Sequence, residues 1–298
     1  MRAYVSLAAC IAILYAQDRV AITPRTRPEP TAARANMRLE VRMVQIPVTV
    51  TDLRGTPVLG LTAERFRVFE DDAPRPIAAL SVSEAPISAG IVFDTSRSMR
   101  PRLQLSLSAL DQFLRTSARE DEFFLVRFSD KPEMVASFTP RPADILSPLA
   151  AVEAKGWTAL NDAICLAANM VRRGRHTRRV LVVFTDGNDN NSRYSEAELL
   201  SLLREADVQV YAINMIERAH FLQRICEETG GRAIFVRRMA DLGAAIEDLS
   251  RQIRSEYLIS YNPAEGQSDG RYHRVRIEVD PPTGGGRVYA TWRRGYFD

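Results

Sequence analysis

From residue 89 to residue 254 the chain alternates two hydrophobic periods, and that alternation restricts its fold more than any other feature. Short apolar runs at 90–93, 123–128, 180–184, 208–213 and 233–236 have the length and composition of strands buried on both faces. Between and after them, segments 102–117, 159–172, 195–205, 219–229 and 239–254 repeat apolar residues at helical spacing. Parallel strands joined by helices need right-handed crossovers, which place helices on both faces of one sheet. The expected fold class is therefore α/β, a doubly wound and mainly parallel sheet. Segment 134–138 follows a Ser-Asp-Lys-Pro turn and reads as an antiparallel edge strand.

The flanks have a different texture. Leu39, Val41, Val44, Ile46, Val48 and Val50 alternate with polar residues, the period-two pattern of strands with one buried face. Further strand patterns lie at 66–70, ended by Asp71-Asp72, and at 77–82, with Pro74 and Pro76 interrupting between them. Beyond Arg254 the pattern returns at 256–261, 272–279 and 288–292, with the glycine-rich stretch 281–286 read as a hairpin connection. We expect the two flanks to pair as a small β domain into which the α/β domain is inserted. The resulting division is 1–16 signal peptide, 17–37 linker, 38–85 N-terminal β segment, 86–254 α/β domain and 255–298 C-terminal β segment.

The signal reading rests on Arg2 followed by an apolar stretch from Ala3 to Ala16, too short for an ordinary membrane span. It implies export, to the periplasm or as a secreted protein. Cleavage after Ala16 is the preferred reading. Leu7-Ala8-Ala9-Cys10 resembles a lipoprotein box, so lipidation and an uncleaved anchor stay open as routes to a membrane. Cys165 and Cys226 fall in helical patterns and read as buried thiols, not a disulfide framework. With 40 basic against 37 acidic residues, no overall field recruits nucleic acid.

Three loops that follow apolar strands carry oxygen donors: Asp94, Ser96 and Ser98 after 91–93, Thr158 at 156–160, and Asp186 after 180–185. Taken singly, these are an Asx-type turn, a helix cap and a strand-ending turn. In conjunction, Asp-x-Ser-x-Ser, a distant Thr and a distant Asp resemble the metal-ion-dependent adhesion site of von Willebrand factor A domains. The flanks 48–66 and 254–257, with Arg294-Gly295-Tyr296-Phe297, resemble an exported bacterial family described as VWFA-related and common among Acidobacteria.

The resemblance implies that Ser96 and Ser98 bind the metal directly and Thr158 directly or through water, while Asp94 and Asp186 act mostly through water. The cation is expected to be Mg2+, with Mn2+ or Ca2+ as alternatives. Neutral hydroxyls leave its charge incompletely offset, which favours an acidic side chain of a protein partner as the completing ligand. In an open doubly wound sheet these loops share the edge where ligands bind.

The catalytic alternative has little to build on. His176, His220 and His273 are dispersed, and no nucleophile elbow or phosphate loop is present. The expected function is partner binding through a divalent cation, not catalysis, with a metal-free structural scaffold and a metal-dependent hydrolase as alternatives. The basic cluster Arg172, Arg173, Arg175, His176, Arg178 and Arg179 reads as a solvated turn or an anionic partner surface. Asp189 reads as a solvated loop residue, and Trp157 as packed or as an apolar contact beside the metal.

Overall fold

The computed structural model describes residues 43–214, 220–236, 238–264, 270–282, 284 and 286–298. The expected signal peptide and linker, including Cys10, lie outside the described residues. Among those described, no helix is long and apolar enough to cross a membrane.

The N-terminal flank supplies β1 (Val44–Thr51), β2 (Phe66–Glu70), β3 (Ala73–Arg75) and β4 (Ile77–Ser83). Then follow β5 (Ile87–Asp94), α1 (Leu103–Arg115), β6 (Glu122–Phe128), β7 (Pro132–Thr139), the short α2 (Pro142–Leu146) and α3 (Leu160–Val171). Next come β8 (Arg178–Thr185), α4 (Glu196–Ala206), β9 (Gln209–Asn214), α5 (His220–Glu228), β10 (Ala233–Phe235) and α6 (Leu242–Arg254). The C-terminal flank adds β11 (Glu256–Tyr261), β12 (Tyr272–Val279), β13 (Tyr289–Trp292) and β14 (Gly295–Phe297).

The central sheet has six strands in the order β10-β9-β8-β5-β6-β7. All its pairs are parallel except β6 with β7, which makes β7 the antiparallel edge strand expected for 134–138. From β5 the chain crosses one way through α1 to β6, and later returns through α3 to β8 on the other side of β5. The strand order therefore reverses between β5 and β8.

Strand parity sorts the core. Ile87, Ala89, Ile91 and Phe93 of β5 join Val180, Val182 and Phe184 of β8 under α1 and α6. The alternate residues Val92, Leu181 and Val183 pack under α3, α4 and α5. Gly90 is required here: a Cβ would sit 2.4 Å from Phe124 Cζ and 2.7 Å from Leu181 Cδ2. Cys165 and Cys226 are buried and free, as expected.

The flanks pair with each other. One four-stranded sheet has the order β13-β1-β11-β4 and the other β14-β12-β2-β3, so each mixes strands from before and after the α/β segment. Their inner faces share a core of Ile46, Val48, Phe66, Val68, Tyr257, Ile259, Val275, Ile277 and Trp292.

Two readings of the flanks need correction. Stretch 281–286 is not a hairpin connection, because β12 and β13 belong to different sheets. Asp71-Asp72 ends β2 as expected, and with φ of 46° and 65° it forms a two-residue hairpin turn that leads into β3. Pro74 is tolerated in β3 because that strand lies at the sheet edge.

In the basic cluster before β8, Arg172 and Arg173 are exposed as a solvated turn would have them, but Arg175 and Arg178 are engaged with the protein. Arg178 donates to Ala85 O (2.8 Å), Ile253 O (2.5 Å) and Glu256 Oε2 (2.7 Å), joining the entry to β5, the end of α6 and the start of β11. Glu256, fully buried, also accepts from Gln209 Nε2 at 2.6 Å and Tyr211 OH at 3.3 Å. Arg175 is occupied by the Glu120 carbonyl and by Glu122. Beside this joint, Asp121 accepts from Ile87 N, Ala118 N and Arg254 Nη2.

Removing one member of a buried ion pair strands the other's charge. Arg178→Met is therefore expected to lower unfolding free energy by about 3 kcal/mol, read from the urea midpoint. Arg178→Met combined with Glu256→Gln should cost less than the sum of the two single changes.

Candidate metal centre

The reversal between β5 and β8 fixes the site. Asp94 ends β5 and Thr185 ends β8, and parity turns both side chains toward the α3 face, where Thr185 Oγ1 donates to Asp94 Oδ2 at 2.6 Å. The other Asp94 oxygen accepts the Ser96 backbone N–H at 2.7 Å, which curls the chain so that Ser96 and Ser98 bring their hydroxyls within 3.0 Å of each other. A short 3-10 turn over Arg97–Met99 follows, pinned by the buried Met99.

Thr158 reaches the same place from another loop. Its backbone is held both ways by Asn190, which accepts from Thr158 N (2.8 Å) and donates its own N–H to Thr158 O (3.0 Å). Arg97 N to Gly156 O (3.1 Å), Lys155 N to Thr95 O (2.9 Å) and Ala159 N to Ser129 O (2.9 Å) stitch the loops together. Gly156 is needed in that stitching: its φ is 84°, and a Cβ there would meet the Asp130 carboxylate at 2.6 Å. Convergence is visible at Gly187, where a Cβ would lie 3.7 Å from Thr158 Oγ1 and 3.8 Å from Ser98 Oγ.

Thr158 does not cap α3. The N-cap position is Ala159, without a side-chain cap, and the amides of the first turn are satisfied by Asp189 Oδ1 (from Asn161 N, 3.1 Å) and Ser192 Oγ (from Asp162 N, 3.0 Å). Asp189 thus has a structural duty instead of being a solvated loop residue. The Thr158 hydroxyl is left to face the loops of Ser98 and Gly187.

The two acids are differently engaged. Burial pushes the Asp94 carboxyl up to about 6, opposed by the hydrogen bonds from Thr185 and Ser96 and reinforced by the negative charge of Asp186. Asp186 is equally buried; its Oδ2 accepts from Arg102 Nη1 at 2.7 Å, and its Oδ1 has no hydrogen-bond partner. Thr185 and Arg102 escaped sequence reasoning. Strand parity could have found Thr185, whereas nothing in the order of residues brings Arg102, at the foot of α1, to Asp186.

Asp94, Ser96, Ser98, Thr158 and Asp186 therefore meet in one crevice. Among the described residues no group of three or more His, Cys, Asp or Glu side chains is placed to hold a metal, so a cation here would be held largely by hydroxyls. Hard oxygen donors with an unpaired buried carboxylate oxygen fit a small divalent cation that keeps part of its water. Trp157 is not packed: its side chain is 65% exposed next to Thr158.

Residues 90–188 match the family model described as von Willebrand factor type A domain. The chain contains a von Willebrand factor A domain. Inter-alpha-trypsin inhibitor heavy chain H4 of Sus scrofa is 25% identical over 192 residues, covering 59% of this chain and 21% of that protein. The chain thus spans about a fifth of the length of the curated relatives it matches. A von Willebrand factor type A structure from Catenulispora acidiphila aligns at TM-score 0.51 with 13% identity, covering 78% of this chain and 72% of that one. Proximal thread matrix protein 1 from the mussel byssus, described with a zinc-occupied MIDAS motif, aligns at 0.53 with 20% identity, over 61% and 49% of the two chains.

The raised Asp94 carboxyl has a stability consequence with a definite sign. A carboxyl that holds its proton more tightly folded than unfolded costs stability as pH rises from the unfolded value, 3.8, to about 6, and nothing further above that. In EDTA, the stability of Asp94→Asn relative to wild type should rise over that window by about 3 kcal/mol at most. Denaturant melts at about pH 3 and about pH 7 measure it, since these bracket the titration.

Proposed function

We propose that this chain is an exported, periplasmic or secreted binding protein. It holds a divalent cation, Mg2+ or failing that Mn2+ or Ca2+, through Ser96, Ser98 and Thr158, with Asp94 and Asp186 beside it. An acidic side chain of a partner protein completes the cation. The observation that carries this reading is the Asp186 Oδ1 atom, buried and unpartnered, next in sequence to Gly187, where the Thr158 and Ser98 hydroxyls converge. A buried carboxylate oxygen without a donor is costly, and a cation with its water shell supplies what is missing. The zinc-occupied motif of the mussel protein supports a divalent ion at this place in the fold.

Binding is favoured over catalysis because the site offers no poised base. Both Asp94 oxygens already accept hydrogen bonds, and Asp186 is engaged with Arg102 through Oδ2, while its free Oδ1 is the oxygen that this reading assigns to the cation and its water shell. His176 is bonded to Glu120 O and His273 to Asp71, both away from the crevice, while His220 opens α5 beyond β9. A hydrolytic metal would need such a group on its water.

The cation supplies positive charge for the partner's carboxylate. The chain's own residues fix where it sits: Asp94 orients the Ser96 loop through the backbone, and Asn190 locks Thr158 in place.

Calorimetry with MgCl2 and MnCl2 tests the reading on wild type beside Asp186→Ala, with circular dichroism as the check on folding. Wild type should bind one ion, and the variant should lose tenfold or more in affinity. A folded wild type that binds neither ion would return the domain to the scaffold alternative. Capture of a partner that survives both EDTA and Ser96→Ala with Ser98→Ala would remove the metal from recognition.

A further inference from the structure

The Arg102 guanidinium lies where a site built for a cation should be least tolerant of one. Arg102 sits at the N-cap position of α1, directly after the turn that carries Ser96 and Ser98. Its Nη1 reaches Asp186 Oδ2 at 2.7 Å, and the carboxylate it meets is fully buried while its own side chain is 33% exposed. The pair leaves one Asp186 oxygen committed and the other without a partner. Arg97 and Arg100, the other basic residues of this turn, are exposed and form no ion pair among the described residues. Arg102 is thus the basic side chain of the turn that bonds into the site.

Formal charges show what this does. Asp94 and Asp186 contribute two negative charges and Arg102 one positive, so the crevice carries a net single negative charge before a metal arrives. A divalent cation would leave it singly positive. With a neutral residue in place of Arg102, the same cation would leave it neutral. Beside carboxylates as buried as these, a neighbouring unit charge moves ionic equilibria by a factor of about ten to a thousand.

We propose that Arg102 is a built-in counter-cation of the metal site. It holds Asp186 in the absence of metal, weakens metal binding by its charge, and leaves the loaded site with the excess positive charge that a partner's carboxylate neutralises. This rests on the reading of the site given above and concerns its affinity and selectivity. Arg102 is a positioning residue in this scheme and touches neither the cation nor the partner. Metal and an anionic partner then bind with mutual reinforcement, because each is needed to offset the charge that opposes the other. A site without the guanidinium would fill with metal readily and attract a carboxylate less.

Titration of Mn2+ into wild type, Arg102→Gln and Arg102→Lys at one ionic strength tests the proposal by sign. Arg102→Gln should bind Mn2+ about tenfold more tightly or better, and Arg102→Lys, which keeps the charge, should stay close to wild type. Melting in excess EDTA and in excess Mn2+ gives a second readout that requires no isolated metal-free stock. The metal-dependent rise in Tm should be larger for Arg102→Gln than for wild type. Wild-type binding with an unchanged or weaker constant in Arg102→Gln would overturn the role of Arg102 alone, since an arm that merely positions Asp186 for the metal predicts that weakening. Failure of every protein to bind Mn2+ at millimolar metal would overturn the site reading, and this proposal with it.

Discussion

Everything at the crevice depends on β5 being immobile. All of its residues are buried, it is bonded to β6 on one side and β8 on the other, and helices cover both faces. A strand paired on both edges cannot slide without breaking two ladders and exposing two cores. Its last residue, Asp94, is consequently delivered into an apolar setting with its position already decided. The high cost of charging that carboxyl is the electrostatic expression of the same burial. Neighbouring loops relieve part of the cost with hydrogen bonds, and they are held to one another by backbone bonds that leave the hydroxyls of Ser96, Ser98 and Thr158 uncommitted to capping.

Much of this was legible in the order of residues, for identifiable reasons. Strand β12 occupies 272–279, as its alternation indicates, because one face of it is buried and period two is then enforced by water. The five oxygen-bearing residues could be listed because each follows an apolar run whose end has to be a loop. Less accessible were features fixed by side-chain reach. The hairpin at Asp71-Asp72 needs two left-handed residues, a conformation that Asp allows and does not announce. The contact of Arg102 with Asp186 spans 84 positions. The short α2 has a single buried residue, Ile145, and so almost no periodicity to read.

The basic cluster before β8 shows how composition misleads at a joint. A run of arginines resembles a solvated or anion-binding surface when its partners are unknown. In the fold, Arg178 is consumed by two carbonyls and Glu256, and its neighbour Arg175 by Glu120 and Glu122. The Arg178 charge compensates the buried carboxylate of Glu256 at the start of β11, and Arg175 lies against that of Glu122 in β6. Such polar joints contribute little net stability compared with apolar packing, but they penalise every wrong register of the two sheets, because each misplacement would leave a buried charge alone.

That joint and the crevice are opposite ends of the same elements. β8 begins at Arg178 and ends beside Asp186, while α1 begins next to Arg102 and packs along α6 through Thr116 Oγ1 to Ser250 Oγ at 2.8 Å and Gln112 Nε2 to Glu247 Oε1 at 3.2 Å. After α6 the chain continues through Ser255 directly into β11. Continuity of packed elements is not itself coupling, since rigid elements also carry no signal when nothing at either end has two states. What would give the crevice two states is an exchange of partners on Asp186, guanidinium in one and cation in the other. Any shift of α1 that accompanied such an exchange would be borne by α6 and felt at Ile253, whose carbonyl Arg178 holds. Coupling of the site to the β domain therefore turns on whether Arg102 releases Asp186 when metal binds, and not on the length of the path between them.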